Sequence, residues 1–389
     1  MTEDQQRARV RAAFEERFGR PDLLVRSPGR INLIGEHVDA ALGVVVPGAI
    51  DRSLWLALRA RTDRRCRVVA ADVGGEVLET SLDGLPPGAP RWAAYVAGAF
   101  AELAAGGTLP AGVDCAFGGG LPMGAGLSSS AALTCGLLAG LSALFGLGHD
   151  RMALARLGQR VEHRHAGVQC GVMDQVASLL GRAGHVLRLD CRDLTYRYLP
   201  VADDLAVVLC DSHVRRSLAD DGTYNRRRAE CDAGLAVLRS RFPGVASLRD
   251  ATPEMLEDVR PALDRAVHAR CRYVIDEHRR VLDACDALAR RDAAALGEAM
   301  DASHHGLQHD FEVSCPALDV LAEAARDVPG VVGCRMMGAG LGGHTIALVH
   351  RDALPAYEAR MADVSRRVLG KAPAMHVCRL SDGTELLVS

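Results

Sequence analysis

Between Gly118 and Leu133 the chain reads Gly-Gly-Gly-Leu-Pro-Met-Gly-Ala-Gly-Leu-Ser-Ser-Ser-Ala-Ala-Leu. Glycines let a backbone curl with its N–H groups pointing inward, and a helix opening at the serines adds unpaired amides and a partial positive charge in its first turn. A polyphosphate fits such a cradle. The serines add a cap for the helix and a hydroxyl that can ligate the Mg²⁺ accompanying ATP. A flexible glycine-rich turn with an ordinary serine cap accounts for one serine and two of the glycines, and on this segment alone both readings stand.

Other chemistries are removed by what is missing. Lys371 is the single lysine, in Leu-Gly-Lys-Ala-Pro, which matches neither a Walker-type phosphate loop nor a Schiff-base site. Of twelve cysteines, the closest two, Cys271 and Cys285, are fourteen positions apart, so zinc knuckles and Cys-x-x-Cys redox chemistry are not expected. Gly338-Ala-Gly-Leu-Gly-Gly343 fits the dinucleotide fingerprint but runs into His-Thr-Ile-Ala-Leu-Val, a strand pattern where that fingerprint needs a helix. Arg226-Arg-Arg228 reads as a solvated helix surface, and His304-His305 with His309 as a polar helix face. With 46 basic against 49 acidic residues the formal charge is −3, which gathers neither nucleic acid nor an anionic membrane, so a small-molecule partner is expected. No apolar run approaches the roughly 20 residues of a spanning helix. A polar N-terminus and free thiols point to a reducing cytoplasm.

The elements that must position these residues come from periodicity. A weakly amphipathic helix covers 5–18, and β-rich segments follow near 23–27, 44–46, 54–60 and 66–72. A strand at 113–117 enters the glycine loop, and Leu137, Leu141, Leu144 and Phe145 mark the apolar side of the next helix, with Gly146 as its stop. Helix patterns cover 150–164 and start again near 172. A strand from Leu205 opens a second region with helices over 225–300, then strand 331–337, strand 344–349, helix 352–367 and strand 374–379. The change of pattern puts a domain boundary near residue 200, giving units 1–200 and 201–389.

Three segments then go beyond generic chemistry. Pro28-Gly-Arg-Ile-Asn-Leu-Ile-Gly-Glu-His-Val-Asp39, Leu121-Pro-Met-Gly-Ala-Gly-Leu-Ser-Ser-Ser-Ala131 and Gly333-Cys-Arg-Met-Met-Gly-Ala-Gly-Leu-Gly-Gly343 resemble, in order, the three motifs of the GHMP small-molecule kinases, and the first resembles the galactokinases among them. Trp92–Gly98, Glu162-His163, Cys170-Gly-Val-Met-Asp-Gln175, Asp190–Arg192, Tyr224 and Glu312–Pro316 agree with that family, so the resemblance runs from about residue 27 to the C-terminus. It implies an α+β fold: a ribosomal protein S5 domain 2-like N-terminal domain and a ferredoxin-like C-terminal domain, with ATP and a sugar between them. The implied reaction is ATP-dependent phosphorylation of the C1 hydroxyl of α-D-galactose, by a monomer or weak dimer. The competing readings are an anomeric kinase for another sugar, such as an arabinose, galacturonate or a larger sugar, and a non-catalytic galactose sensor. The intact Ser128-Ser-Ser-Ala131 and Asp174 favour an enzyme. Val38-Asp-Ala-Ala41 stands where the family has Thr-Asp-Tyr-Asn, and Met337, Ala339 and Leu341 where Thr, Gly and Phe are commoner.

Residue by residue, the resemblance implies that Asp174 accepts the C1 hydroxyl proton with Arg30 beside it. A carboxylic acid near 4 and a sugar hydroxyl on the order of 12 differ by roughly eight units, about 11 kcal/mol, so prior deprotonation is excluded and the proton moves late. Ser130 and Glu162 resemble Mg²⁺ ligands, with Ser129 as the fallback for Ser130. Glu36, His37, Asp39, Gly171 and Tyr224 resemble sugar contacts. Gly124, Ala125, Gly126, Leu127, Ser128, Ser129 and Ser130 form the ATP phosphate loop, and Trp92 and Tyr95 resemble residues near the adenine.

Overall fold

Alternation builds the first sheet. In strand β1 (Leu23–Asn32), Leu23 and Val25 join the main core, while Leu24 faces the other way, onto Val10, Phe14 and Phe18 of helix α1 (Glu3–Phe18). Strand β3 (Pro47–Ala60) repeats the division, with Leu54, Leu56 and Leu58 on one side and Trp55 and Ala57 on the other. The computed structural model describes residues 1–75, 77–81, 89–105, 109–121, 126–215, 222–372 and 374–388.

After the two-residue strand β2 (Val44–Val45) come β4 (Arg65–Ala70), β5 (Val77–Ser81), helix α2 (Arg91–Ala105) and β6 (Val113–Gly119). Helices α3 (Ser129–Leu144), α4 (Arg151–Val161) and α5 (Met173–Leu180) follow, then strands β7 (His185–Asp190), β8 (Tyr196–Pro200) and β9 (Leu205–Asp211). The rest comprises α6 (Thr223–Arg241), α7 (Pro253–Asp258), α8 (Arg265–Arg290), α9 (Ala293–His309), α10 (Pro316–Arg326), β10 (Val331–Met336), β11 (His344–His350), α11 (Leu354–Val368), β12 (Met375–Cys378) and β13 (Glu385–Val388). Among the described residues the six-stranded sheet runs β13-β1-β3-β6-β4-β5, the four-stranded sheet β10-β11-β9-β12 and the three-stranded sheet β2-β7-β8. The second of these sheets lies wholly beyond residue 200, and β13 returns to pair antiparallel with β1.

Helix α3 places the loop. It is apolar nearly all round and buried, as its Ala-Leu-Gly composition requires. Gly136 and Gly140 let it lie directly on the sheet: a Cβ at Gly136 would come 2.7 Å from the Ser27 Cβ, and one at Gly140 2.3 Å from the Leu58 Cδ1. Its N-terminus is thereby held at the C-terminal end of β1. The four-stranded sheet is covered by α10 and α11 through Leu321, Ala325, Tyr357 and Met361. Strand β11 follows the Gly338–Gly343 loop, which excludes the dinucleotide-fingerprint geometry. No helix among the described residues is long and apolar enough to cross a membrane.

Candidate active site

The site begins with a defect in the sheet. The β1–β3 register shifts between Pro28 and Arg30, a bulge of the kind that re-aims a side chain. Gly29 meets the glycine loop there; a Cβ on it would lie 2.7 Å from the Leu127 carbonyl oxygen. Arg30 then donates from Nε to Asp174 Oδ1 at 2.8 Å, from Nη2 to Asp174 Oδ2 at 3.0 Å and from Nη1 to the Gly126 carbonyl at 2.6 Å. One buried guanidinium thus ties the carboxylate on the first turn of α5 to the loop before α3. Burial works against its charge, but Asp174, Glu36 and Asp39 outweigh that and raise its pKa. Asp174 remains 28% exposed at its side chain, open to a ligand.

The serine cap expected for helix α3 does not form at Ser128. That residue occupies the N-cap position with φ 57°, in the left-handed region, and its side chain makes no capping bond. Its Oγ donates to Asp174 Oδ2 instead. The first-turn amides of α3 consequently keep no side-chain cap, which leaves them for an anion. Gly124 and Ala125 lie outside the described residues.

Ser130 Oγ donates to Glu162 Oε1 at 3.3 Å, and Gln175 Nε2 to the same oxygen at 3.2 Å. Glu162 opens a π-helical turn, Glu162–Ala166, of the type frequent at functional sites. Burial, then the charge of Asp174, pushes its carboxyl up to about 7. Gln175 Oε1 is buried beside it without a hydrogen-bond partner among the described residues. A hydroxyl, a carboxylate and an amide oxygen in one place are the hard donors that suit Mg²⁺. Among the described residues no cluster of three His, Cys, Asp or Glu could hold a metal alone.

The loop after β1 carries the other expected residues. Glu36 is 1% exposed and fully engaged: Oε1 accepts from Arg335 Nη2 at 3.1 Å and from the Gly338 amide at 2.8 Å, and Oε2 from Asn32 Nδ2 at 3.0 Å. Burial pushes its pKa up, but Arg335 and Arg30 prevail and hold it below the ordinary value. His37, at φ 62°, packs its ring 5.4 Å from that of Tyr224 and 4.7 Å from that of Phe311. Burial pushes His37 down to about 4, so the imidazole is neutral, and its Nε2 is buried without a partner among the described residues. Asp39 accepts from the Ala40 amide at 2.8 Å, and burial followed by the charge of Asp174 pushes it up to about 6. Gly171 lies against it, leaving 2.2 Å between a hypothetical Cβ and Asp39 Oδ2. Asp39, Asp174 and Glu162 therefore gather around Arg30. Trp92 is half-buried with its ring edge-on to Phe117 at 5.1 Å, and Tyr95 is half-buried with its phenol pushed up by burial to about 12.

Several functional positions escaped sequence reasoning. Arg335, buried in β10, donates to the carbonyls of Asn32 at 2.6 Å and Leu33 at 2.8 Å besides Glu36, and so clamps the loop after β1 to the second sheet. An arginine inside an apolar strand was the available signal. Glu277 of α8 accepts from the Gly35 amide at 3.0 Å, and Tyr273 Oη donates to the Glu36 carbonyl at 3.0 Å. The arginine run is only in part a solvated surface: Arg226 is exposed, but Arg227 is buried, donating to the Phe311 carbonyl at 2.7 Å, and half-buried Arg228 donates to the Ala40 carbonyl at 2.6 Å. Nor is the histidine cluster only a polar face, since His304 is buried and its Nδ1 accepts from the Met336 amide at 3.1 Å. In both cases packing from another element supplies the partner that helical spacing cannot show.

The family models described as GHMP kinases N terminal domain, galactokinase galactose-binding signature and GHMP kinases C terminal match residues 94–182, 12–60 and 284–364. A galactokinase of Roseiflexus sp. (strain RS-1) is 41% identical over 375 residues, 96% of this chain and 95% of the relative. The solved structure of Lactococcus lactis galactokinase complexed with galactose superimposes with a TM-score of 0.92 at 32% identity, covering 97% of this chain and 99% of that one. Methanococcus jannaschii mevalonate kinase, at 15% identity and a TM-score of 0.61 over 92% of this chain and 98% of that one, shares the fold. With its N- and C-terminal GHMP kinase domains, the chain belongs to the galactokinase family.

Proposed function

We propose that the chain transfers the γ-phosphoryl group of ATP to the C1 hydroxyl of α-D-galactose. The observation that carries this is the position of Asp174, gripped by Arg30 through two hydrogen bonds and touched by Ser128 at the mouth of α3. Phosphoryl transfer through a loose transition state needs alignment and charge neutralisation more than covalent chemistry. The residues supply those two things. Amides of the Gly126–Ser130 segment and the N-terminus of α3 bind the phosphates, while Asp174 orients the attacking hydroxyl and takes its proton as the bond to the leaving phosphate lengthens. Arg30 fixes the carboxylate and lies where charge builds on the transferred group.

Asp39 and neutral His37 hold the sugar, with Tyr224 and the Gly171 backbone beside it, and Glu36 shapes their loop from beneath. His37 Nε2 supports this, because a buried polar atom without a hydrogen-bond partner among the described residues calls for one from a ligand. Ser130, Glu162 and Gln175 would hold Mg²⁺, which when bound with the nucleotide neutralises phosphate charge. Trp92 and Tyr95 flank the adenine. The domains divide near residue 200, and all twelve cysteines being free suits a reducing cytoplasm.

Release of ADP, coupled to NADH oxidation, tests the reading across a panel of monosaccharides. Galactose is turned over by the wild type, and Asp174→Asn loses turnover while calorimetry still registers ATP and galactose. Turnover of another sugar with galactose inert, or a near-normal rate in Asp174→Asn, removes the proposal.

A further inference from the structure

A cavity of about 180 Å³ is lined by His37 and Tyr224 but not by Asp174. Its lining combines Ala40, Ala41, half-buried Leu235 and buried Leu248 and Phe311 with half-buried Arg228 and the exposed Asp232 and Arg239, which mark its rim. At the roughly 10–15 Å³ needed by one water centre, it has room for on the order of ten non-hydrogen atoms. Neither Asp174, Arg30 nor Glu162 lines it, so it lies outside the phosphoryl-transfer centre. It shares His37 and Tyr224 with the proposed sugar contacts.

The lining states the ligand's chemistry. Aromatic faces at His37, Tyr224 and Phe311 suit the C–H face of a saturated ring, and polar groups at the rim suit hydroxyls. The rim charges are already used within the protein. Arg228 Nε pairs with Asp232 at 3.0 Å and its Nη1 with the Ala40 carbonyl at 2.6 Å, and Arg239 donates to the carbonyls of Val245 and Ala246. A charged ligand would have to displace those partners; a neutral, hydroxyl-rich one would not.

Resting on the galactose reading above, we infer that this cavity is a second saccharide subsite, which receives a neutral glycosyl substituent on the end of the ring opposite C1. The chain would then phosphorylate the free C1 of a disaccharide whose reducing end is galactose. The hydroxyl attacked, the phosphoryl group transferred and the ADP released are those of the monosaccharide reaction.

The test is coupled ADP release with galactose and with galactosyl-galactoses linked to the reducing-end ring at O2, O3, O4 or O6. The expected result is turnover of at least one of the O3, O4 and O6 isomers, with kcat/KM within about tenfold of galactose, and none of the O2 isomer, whose substituent adjoins C1. Ala246→Trp, at the exposed rim, and Leu235→Phe, in the half-buried lining, should each lower kcat/KM for the accepted disaccharide by about tenfold or more and leave galactose within about twofold. Galactose turned over with every disaccharide inert overturns the inference and leaves the galactose reading standing. A disaccharide accepted equally by wild type and both variants also overturns it, because the second ring then lies elsewhere. Galactose and all disaccharides inert, in a protein that binds ATP, overturns the reading beneath it and the inference together.

Discussion

Replacing Gly171 by alanine tests the sugar side of the site with one methyl group. The backbone admits the change, since Gly171 is not among the glycines at positive φ. Space does not: the new Cβ would lie 2.2 Å from Asp39 Oδ2, 2.3 Å from its Cγ and 2.6 Å from its Cβ. Ordinary contact begins at 3.4 Å, so the carboxylate must retreat by at least 1.2 Å, the difference between the two distances. Its other oxygen is held by the Ala40 amide, which limits a compensating rotation. A displacement of about 1 Å in a positioning group costs on the order of 100-fold, or about 2.7 kcal/mol of transition-state stabilisation. Coupled ADP-release kinetics should therefore show kcat/KM for galactose falling by about 100-fold, while the Kd for ATP stays within about twofold of wild type. The phosphate loop is untouched, so a loss confined to the sugar is the signature. A variant whose kcat/KM for galactose stays within about threefold of wild type refutes the assignment of Asp39 to the substrate.

Two further outcomes follow from buried charge. Asp39 and Glu162 titrate in the folded chain at about 6 and about 7, above ordinary values of 3.8 and 4.5, because burial and Asp174 oppose their ionisation. The native state then binds more protons than the unfolded state between about pH 4 and 7, and both groups lower stability as pH rises through that window. Thermal melts of ligand-free Asp39→Asn and Glu162→Gln should lie above wild type at pH 8 and converge with it near pH 4; parallel wild-type and variant pH profiles refute this. Arg335→Met removes the partner of buried Glu36 and strands the carbonyls of Asn32 and Leu33, an expected loss of about 3–5 kcal/mol in urea unfolding. Adding Glu36→Gln should restore part of that loss, and a double variant no more stable than Arg335→Met sinks the pairing argument.

The glycine loop's place between β6 and helix α3 was legible because it is local. Glycines, three serines and the Leu137 and Leu141 stripe lie within one run of chain, and each carries its own conformational meaning. The sugar side was half legible: its loop could be named, but what holds it could not. Arg335, Glu277 and Tyr273 reach that loop from roughly 240 to 300 residues away in sequence, and no spacing rule spans such a gap. Arg227 and Arg228 were misread for the same reason, since helical periodicity describes one helix and is silent about the carbonyls another element presents to it. Ser128 failed differently. The composition foretold a cap, but the left-handed backbone at that residue swings its hydroxyl away from the helix amides to Asp174. Strand β13 carries only four residues and pairs with β1 from the opposite end of the chain, so neither length nor alternation announced it.

These long-range ties have one physical consequence. Arg30 joins the acid to the phosphate loop within the first half of the chain, whereas Glu36, His37 and Asp39 sit on a loop whose backbone bonds end on α8, α6 and β10 in the second half. On the proposed reading, the phosphates rest on elements of the first half alone, whereas the loop that holds the sugar also depends on the second. On that reading, a small rotation between the two halves changes the distance from the sugar hydroxyl to the phosphate. Alignment, the quantity on which phosphoryl transfer most depends, then rests in part on the buried Glu36–Arg335 pair, which ties that loop to β10.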